Sequence, residues 1–340
     1  MQRREFVAAA AAAGLIAAPL VARAAGTQPV KFVVDFAYQG NHAIWGLGLA
    51  RGVFTAGGLD VHMDRGYGSG DTITKVAAGA YDIGFADINA AVKFNAVNPD
   101  KRVIGVLQGF DRSLSAIIAL KKSGITRPAD LAGRTLGAPE ADASRLLFPA
   151  FARTNHFDAD KVTWRNIAPN LRETILVQGQ VDAISGFSST SLFNLLAIGV
   201  PRDQIVMLQY PDYGLDLYGN AVIVREDMLE KNPAMIAAFV KATIASTNLL
   251  LADPAAGMAA MKARDPLFDI ALESARWDFV RDNAYLTPAV KKEGFGYVDP
   301  QRMELTIRAN AEAYGIDSPP RLNQLYTTRF LPPRTERMPV

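Results

Sequence analysis

Short apolar runs alternate with helix-length segments in this chain, and the alternation occurs twice. The first block reads as strand 30–36, helix 42–54, strand 59–63, helix 71–78, strand 81–86, helix 88–96 and strand 103–107. The second reads as strands 135–138, 162–167 and 183–187, with helices 143–153, 171–177 and 190–198 between and after them. Such changes of period specify βαβ units around mostly parallel sheets. The blocks also share a turn: Ala78-Gly79-Ala80-Tyr81-Asp82-Ile83 matches Gln178-Gly179-Gln180-Val181-Asp182-Ala183, 100 residues later. In each, a helix stops at a glycine suited to a left-handed C-cap, and Asp precedes the next strand. Alone, the match fits a generic helix-to-strand turn equally well. The recurring strand–helix order around it favours two lobes of similar topology.

Two further extended runs, 114–120 and 218–224, bracket the second block. They predict that residues 116–219 form an inserted lobe II, with 25–115 and 220–340 forming lobe I. Lobe closure is expected about the crossings near Ser115 and Asn220. The remainder reads as helices 226–231, 233–251, 254–263, 270–283 and 300–314. Pro233 and Pro254 suit first-turn positions, where no intrahelical N–H is lost. The expected fold class is α/β, two lobes with parallel-rich sheets joined by a two-strand hinge.

Residues 1–24 differ from the rest. Arg3-Arg4 precedes an alanine-dominated apolar run and then Ala22-Arg23-Ala24, the three parts of an export signal. The run of about 16 residues is shorter than the ~20 needed to span a bilayer. Arg3-Arg4-Glu5-Phe6 is twin-arginine-like, although Gln2 stands in place of Ser or Thr, so general secretion stays open. A periplasmic protein is expected. The formal charge of +2 comes from this segment, which holds three arginines and one glutamate; 33 basic and 33 acidic residues remain. The basic residues are scattered, against nucleic-acid binding. With no cysteine, disulfide frameworks, thiolate metal sites and cysteine nucleophiles are excluded. The three histidines, His42, His62 and His156, lack metal-ligand spacing, and neither a metal nor a cofactor is expected.

The expected ligand loops follow strand ends, where open α/β sheets bind ligands. Asp64-Arg65-Gly66-Tyr67-Gly68-Ser69-Gly70-Asp71-Thr72 combines glycines, which permit close approach, with a helix start. It is neither a Walker loop nor a full dinucleotide fingerprint. Tyr67, Gly68, Ser69 and Thr72 are its candidates. After the first strand, Tyr38 and Trp45 could stack on a flat ligand while Asn41 and His42 hydrogen-bond it. Trp45 suits core packing equally well, and His42 a capping role better. Asp87, Asn89, Phe110, Glu140, Asp142, Phe187, Ser188 and Tyr218 complete the set, with Asp142 also a natural helix N-cap. No nucleophile elbow, zinc-protease motif or acid–base pair is present.

Tyr38 to Val61, with Arg51-Gly52-Val53-Phe54 and Gly57-Gly58-Leu59-Asp60-Val61, resembles the opening of nitrate/sulfonate/taurine and thiamine-pyrimidine-precursor binding proteins. Gly68-Ser69-Gly70-Asp71-Thr72, Gly79-Ala80-Tyr81-Asp82-Ile83-Gly84, Leu131-Ala132-Gly133-Arg134-Thr135-Leu136-Gly137 and Tyr326-Thr327-Thr328-Arg329-Phe330-Leu331-Pro332 continue that family's order. The resemblance implies a type II periplasmic binding fold that delivers a small molecule to an ABC-transporter membrane permease. Related fungal pyrimidine synthases depend on a cysteine-rich segment and a histidine near the third strand. This chain has no cysteine and reads Asp87-Ile88-Asn89-Ala90 there, against an enzymatic role. Glu140-Ala141-Asp142 stands where anion-binding members often carry Gly-Ser. Two carboxylates would oppose a sulfonate or nitrate by charge, so a planar or aromatic, neutral or partly cationic ligand is expected. A monomeric transport binding protein is the leading expectation. The alternatives are an exported enzyme using Asp87, Asp111 or Glu140, and a sensor module docking on a membrane receptor.

Overall fold

The alternating pattern folds into two five-stranded mixed sheets of matching order. The computed structural model describes residues 26–340; the expected export segment lies outside the described residues. The first half comprises β1 (Gln28–Val33), α1 (Ala43–Ala50), α2 (Val53–Ala56), β2 (Leu59–Asp64), α3 (Ser69–Ala77), β3 (Ile83–Asp87), α4 (Ile88–Val97) and β4 (Val103–Gln108). The second sheet's elements are β5 (Ser115–Leu120), β6 (Thr135–Ala138), α5 (Ala143–Thr154), β7 (Thr163–Asn166), α6 (Arg172–Val177), β8 (Ala183–Phe187), α7 (Ser188–Ala197) and β9 (Ile205–Gln209). The chain then returns through β10 (Asn220–Arg225) to α8 (Met228–Lys231), α9 (Pro233–Ala252), α10 (Pro254–Arg264), α11 (Ile270–Val280), α12 (Pro288–Glu293) and α13 (Pro300–Tyr314).

One sheet runs β2-β1-β3-β10-β4 and the other β7-β6-β8-β5-β9. In each, three strands pair in parallel, and the fourth, arriving from the opposite lobe, pairs antiparallel on both sides. The two extended runs read as crossings are thus β5 and β10, interior members of their sheets. The connections between the sheets are the shorter segments 109–114 and 210–219. Interior strands β3 and β5, and edge strand β4, are buried along their whole length, so they read as continuous apolar runs rather than alternating ones.

The repeated turn does the same job twice. Gly79 and Gly179 take left-handed φ values of 77° and 70°. Ala80 N donates to Lys75 O at 3.0 Å and Gln180 N to Ile175 O at 3.1 Å, closing each helix end in a Schellman pattern. Asp82 and Asp182 then fasten β3 to β1 and β8 to β6 through neighbouring-strand amides.

Some boundaries differ from the sequence reading. The helix expected over 42–54 breaks at Gly52, whose φ of 69° is left-handed, giving α1 and α2. The helix expected from residue 71 begins at Ser69. The run 270–283 is α-helical to Val280 and continues as a π turn over Arg281–Tyr285. Strand β9 and helix α12 have no counterpart in the sequence reading. Helix α9 is long and apolar enough to cross a membrane by length and composition. Here Met235, Ile236, Phe239 and Val240 are buried in the larger core, Phe239 meeting Phe32 and Phe54 at 5.1 and 5.3 Å between ring centroids.

Candidate functional site

The two sheets present their strand ends to one another, and a small cavity of about 20 Å³ lies between them. Asp35, Phe36, Gly68 and Ser69 line it from one lobe; Asp142, Ala143, Arg172, Phe187 and Thr190 line it from the other. That volume holds about one water molecule. A drug-sized ligand needs roughly 300 Å³ or more, so the lobes must part to admit one. Grooves of about 870 and 420 Å³ occur elsewhere. The larger, formed by α13 and the segment after it, is mostly apolar in surface, with Glu304, Arg308, Glu312, Asp317 and Arg321 among its lining residues.

Asp35 follows β1 and is buried. Its Oδ1 lies 2.9 Å from His42 Nε2, and its Oδ2 accepts a 2.8 Å bond from Asn220 Nδ2. His42 Nδ1 accepts from Gln39 N at 3.1 Å. That bond places the ring proton on Nε2, donating to Asp35, so both ring nitrogens are engaged. Gln39 bridges the cleft, its Nε2 donating to Thr190 Oγ1 at 3.1 Å. Gly70 N donates to Ala141 O at 3.2 Å, a second inter-lobe bond. A Cβ on Gly68, whose φ is 127°, would come within 2.8 Å of Ala141 O. Glycine is therefore required where the lobes meet.

Arg172 forms the opposite wall. It is 1% exposed and donates to Glu173 Oε1 from Nε and Nη2 at 3.0 and 2.9 Å. Its Nη1 reaches Asp142 Oδ2 at 3.2 Å and Ser185 O at 3.1 Å. Burial disfavours its charge, but Glu173 and Asp142 outweigh that and hold the guanidinium protonated. Its Cζ stands 5.9 Å from the Phe36 ring centroid across the cleft. With one cation between two carboxylates on this wall, and Asp35 beside a neutral imidazole on the other, the cavity has an acidic balance.

The residues expected at the site divide into groups. Gly68, Ser69, Asp142 and Phe187 line the cavity. Ser69 Oγ accepts from Asp87 N at 3.0 Å, while Thr72 Oγ1 donates to Val34 O at 3.1 Å, tying α3 to the segment that follows β1. Asp142 caps α5 by accepting from Arg145 N, and also accepts from Ser185 Oγ at 2.9 Å. Asn41 and Ser188 are buried near these loops. Trp45 packs in the core instead, 4.7 Å from Phe85 and 5.1 Å from Phe32, with Nε1 donating to Thr243 Oγ1. Phe110 stands behind Phe187, edge-on to Phe85 and Tyr285. Tyr38 donates to Met63 O at 2.8 Å, its hydroxyl pKa raised by burial. Tyr67 is 53% exposed outside the cavity, with Arg65 and Lys75 over its ring. Tyr218 accepts from Asp299 N under the Arg302 guanidinium.

Glu140 is exposed and borders an outer groove with Lys93, Arg145, Trp164 and Tyr314. The carboxylate pair read at 140 and 142 therefore does not converge, and the second acid of the cavity is Asp35. Asp87 caps α4, its Oδ1 accepting from Asn89 N and Nδ2, both at 2.8 Å. Burial pushes its carboxyl up to about 6. Asn89 donates onward to Tyr218 O and accepts from Asn310. Sequence reasoning missed Asp35, Phe36, Arg172 and Thr190. The first two end the run read as a strand, and the strand-end rule could have found them. Arg172, at a helix start after the edge strand β7, carries no such signal. Among the described residues no group of three or more His, Asp or Glu side chains could hold a metal.

The model of NMT1/THI5-like proteins matches residues 39–257. The chain belongs to the NMT1/THI5-like family. It is 24% identical to the 4-amino-5-hydroxymethyl-2-methylpyrimidine phosphate synthase of Aspergillus parasiticus, over 78% of each chain. It is 22% identical to a formylaminopyrimidine-binding protein of Halalkalibacterium halodurans, over 67% of this chain and 68% of that one. A riboflavin-binding protein of Chloroflexus aurantiacus is 23% identical over 93% of this chain and 91% of its own. Among solved structures, the periplasmic aliphatic sulphonate-binding protein of Escherichia coli superposes with a TM-score of 0.67 at 14% identity, covering 88% of this chain and 92% of its own. The alkanesulfonate-binding protein of Xanthomonas axonopodis gives 0.66 at 14% identity, covering 92% and 96%. The fold of this family member is thus the two-lobed periplasmic binding fold of ABC import systems, as the motif resemblance implied.

Proposed function

We propose that this family member is the periplasmic substrate-binding component of an ABC importer. Lobe I (25–115 and 220–340) and lobe II (116–219) close on a small planar molecule, neutral or partly cationic, and the closed form docks on the permease. The segment 1–24 directs export. Asp35, Phe36, Gly68, Ser69, Asp142, Arg172, Phe187 and Thr190 contact the ligand.

The observation that carries this reading is the cavity itself. It lies between the lobes and combines two aromatic rings, Phe36 and Phe187, with an acidic balance from Asp35 and Asp142. Rings offer faces to a flat solute, and carboxylates accept from its N–H groups. Relatives named for binding a formylaminopyrimidine and riboflavin, both flat heterocycles, support the same class. The test is mass spectrometry of ligand retained by purified protein, followed by calorimetry against pyrimidines, flavins and alkanesulfonates. Saturable binding of a heterocycle is expected; binding of small anions alone would overturn the ligand class.

A second reading, catalysis, is favoured by the relative named as a synthase. The three carboxylates considered for it have structural partners: Asp87 caps α4, Asp111 meets Thr287 and Arg302, and Glu140 faces solvent. Turnover of a pyrimidine precursor that disappears in Asp87→Asn, with binding retained, would establish it.

A further inference from the structure

One helix of lobe I is seated on lobe II. Helix α11 packs on α7, with Phe279 meeting Phe193 edge-on at 6.0 Å. Beside that contact lies Arg276, 1% exposed, reaching from α11 into the first turns of α7. Its Nη1 donates to Ser189 O and Thr190 O at 3.0 and 3.2 Å, and its Nη2 donates to Asn194 Oδ1 at 3.0 Å. Its Cζ stands 5.6 Å from the Phe193 ring centroid. Each of these partners belongs to α7 in the other lobe.

The N-terminal end of a helix repels a cation. A buried, unpaired guanidinium is also costly. Glu273 offsets part of this cost: its Oε2 lies 2.9 Å from Arg276 Nε and also accepts from Gly40 N at 2.7 Å, although burial still holds the Arg276 pKa below its ordinary value. Gly40 belongs to the first ligand loop, and its neighbour Gln39 reaches Thr190. A Cβ on Gly40 would collide with Glu273 O at 2.1 Å, so loop and helix are in direct contact. The ligand loop, α11 and α7 thus form one hydrogen-bonded unit across the cleft.

We infer that Glu273 and Arg276 are a latch between the lobes: positioning residues that set the closed fraction, and hence ligand affinity, without touching ligand. The link to affinity rests on the reading of the cleft as the ligand site. Opening strips Arg276 of its three acceptors at once and returns them to water. A ligand enters the parted lobes and the α7–α11 contacts re-form as they close on it, so a tenfold loss of that closed form weakens binding up to about tenfold.

The absence of cysteine permits a direct test. Leu267 and Ile198, 91% and 50% exposed on opposite lobes, are replaced by cysteine and spin-labelled, and their distance distribution is measured without ligand. The reference pair should show a dominant short-distance population. Asn194→Ala, which removes one acceptor, and the double variant Glu273→Gln/Arg276→Gln, which leaves no buried charge unpaired, should each shift weight to longer distances. Arg276→Lys should restore part of the short population relative to the double variant. Unchanged distributions in variants with normal circular dichroism would overturn the inference, as would a reference pair that is wholly open. Because no ligand enters the measurement, failure to find one bears only on the proposed function. Once a ligand is identified, dissociation should be about tenfold faster in the double variant, with the ranking of ligands unchanged.

Discussion

Asp182 Oδ2 accepts the Thr135 backbone N–H at 2.8 Å, the bond that Asp82 makes to the Lys31 amide at 2.9 Å in the other sheet. In both cases the return bond runs from the aspartate N–H to the carbonyl of the same partner, at 2.9 Å. The pair of bonds fixes where the third strand of each βαβ unit enters its sheet. A one-residue slip would reverse which face each side chain occupies. Asp182→Ala and Asp82→Ala should each cost about 1.5 kcal/mol in urea unfolding, the low end for a hydrogen bond to a charged group because both carboxylates are half-buried.

Asp87 should give stability an inverted acid dependence. Its folded pKa, about 6, lies above the ordinary 3.8 because burial penalises the carboxylate. Between those values the folded state binds more protons than the unfolded state, so stability falls as pH rises from about 4 to 6. The loss is on the order of 3 kcal/mol and nearly complete above pH 6. Asp87→Asn retains an acceptor for the α4 cap and should remove this component from the pH profile of the urea midpoint.

Arg172 pairs with both Asp142 and Glu173 within a buried wall. Arg172→Met should destabilise by about 3–5 kcal/mol, because it strands uncompensated charge. Adding Asp142→Asn and Glu173→Gln should recover most of that loss. Thermal unfolding of the three proteins separates a charge effect from a packing effect.

Trp45 packs in the core and does not line the inter-lobe cavity. Trp45→Ala should cost about 3–5 kcal/mol through the cavity it leaves. Trp45→Phe should retain ligand affinity within calorimetric error, whereas Phe187→Ala should reduce it.

Gly68→Ala should act on closure. It places a side chain at a φ of 127° and against Ala141 O of the opposite lobe. Strain at such a site costs roughly 1–3 kcal/mol. Weaker ligand binding, with faster dissociation, is the expected calorimetric and stopped-flow result.

Most elements were legible because their signals are local. The apolar run at Thr135–Ala138, the Pro-led helix Pro300–Tyr314 and the Asp142 cap were all read at or close to their bounds. Gly52 shows the limit: a single left-handed residue split a continuous helical pattern. At the site, the strand-end rule brought Gly68, Ser69, Asp142 and Phe187 to the cavity but could not choose among loop residues. Trp45 and Glu140 shared those loops and went to the core and to solvent.

The sequence by itself determined the two-block order, the repeated Gly–Asp turns and the absence of net charge and thiols over residues 25–340. These depend on hydrophobic period, turn chemistry and composition, all set within a few residues or by counting. Only the tertiary structure decided that β5 and β10 enter each other's neighbouring sheets as antiparallel strands, and that Arg172 and Thr190 face Asp35 and Phe36. Those outcomes depend on how two lobes pack. The contacts that bring the two walls together join residues far apart in the chain, as Gln39 to Thr190 and Asp35 to Asn220 do, and no local pattern encodes them.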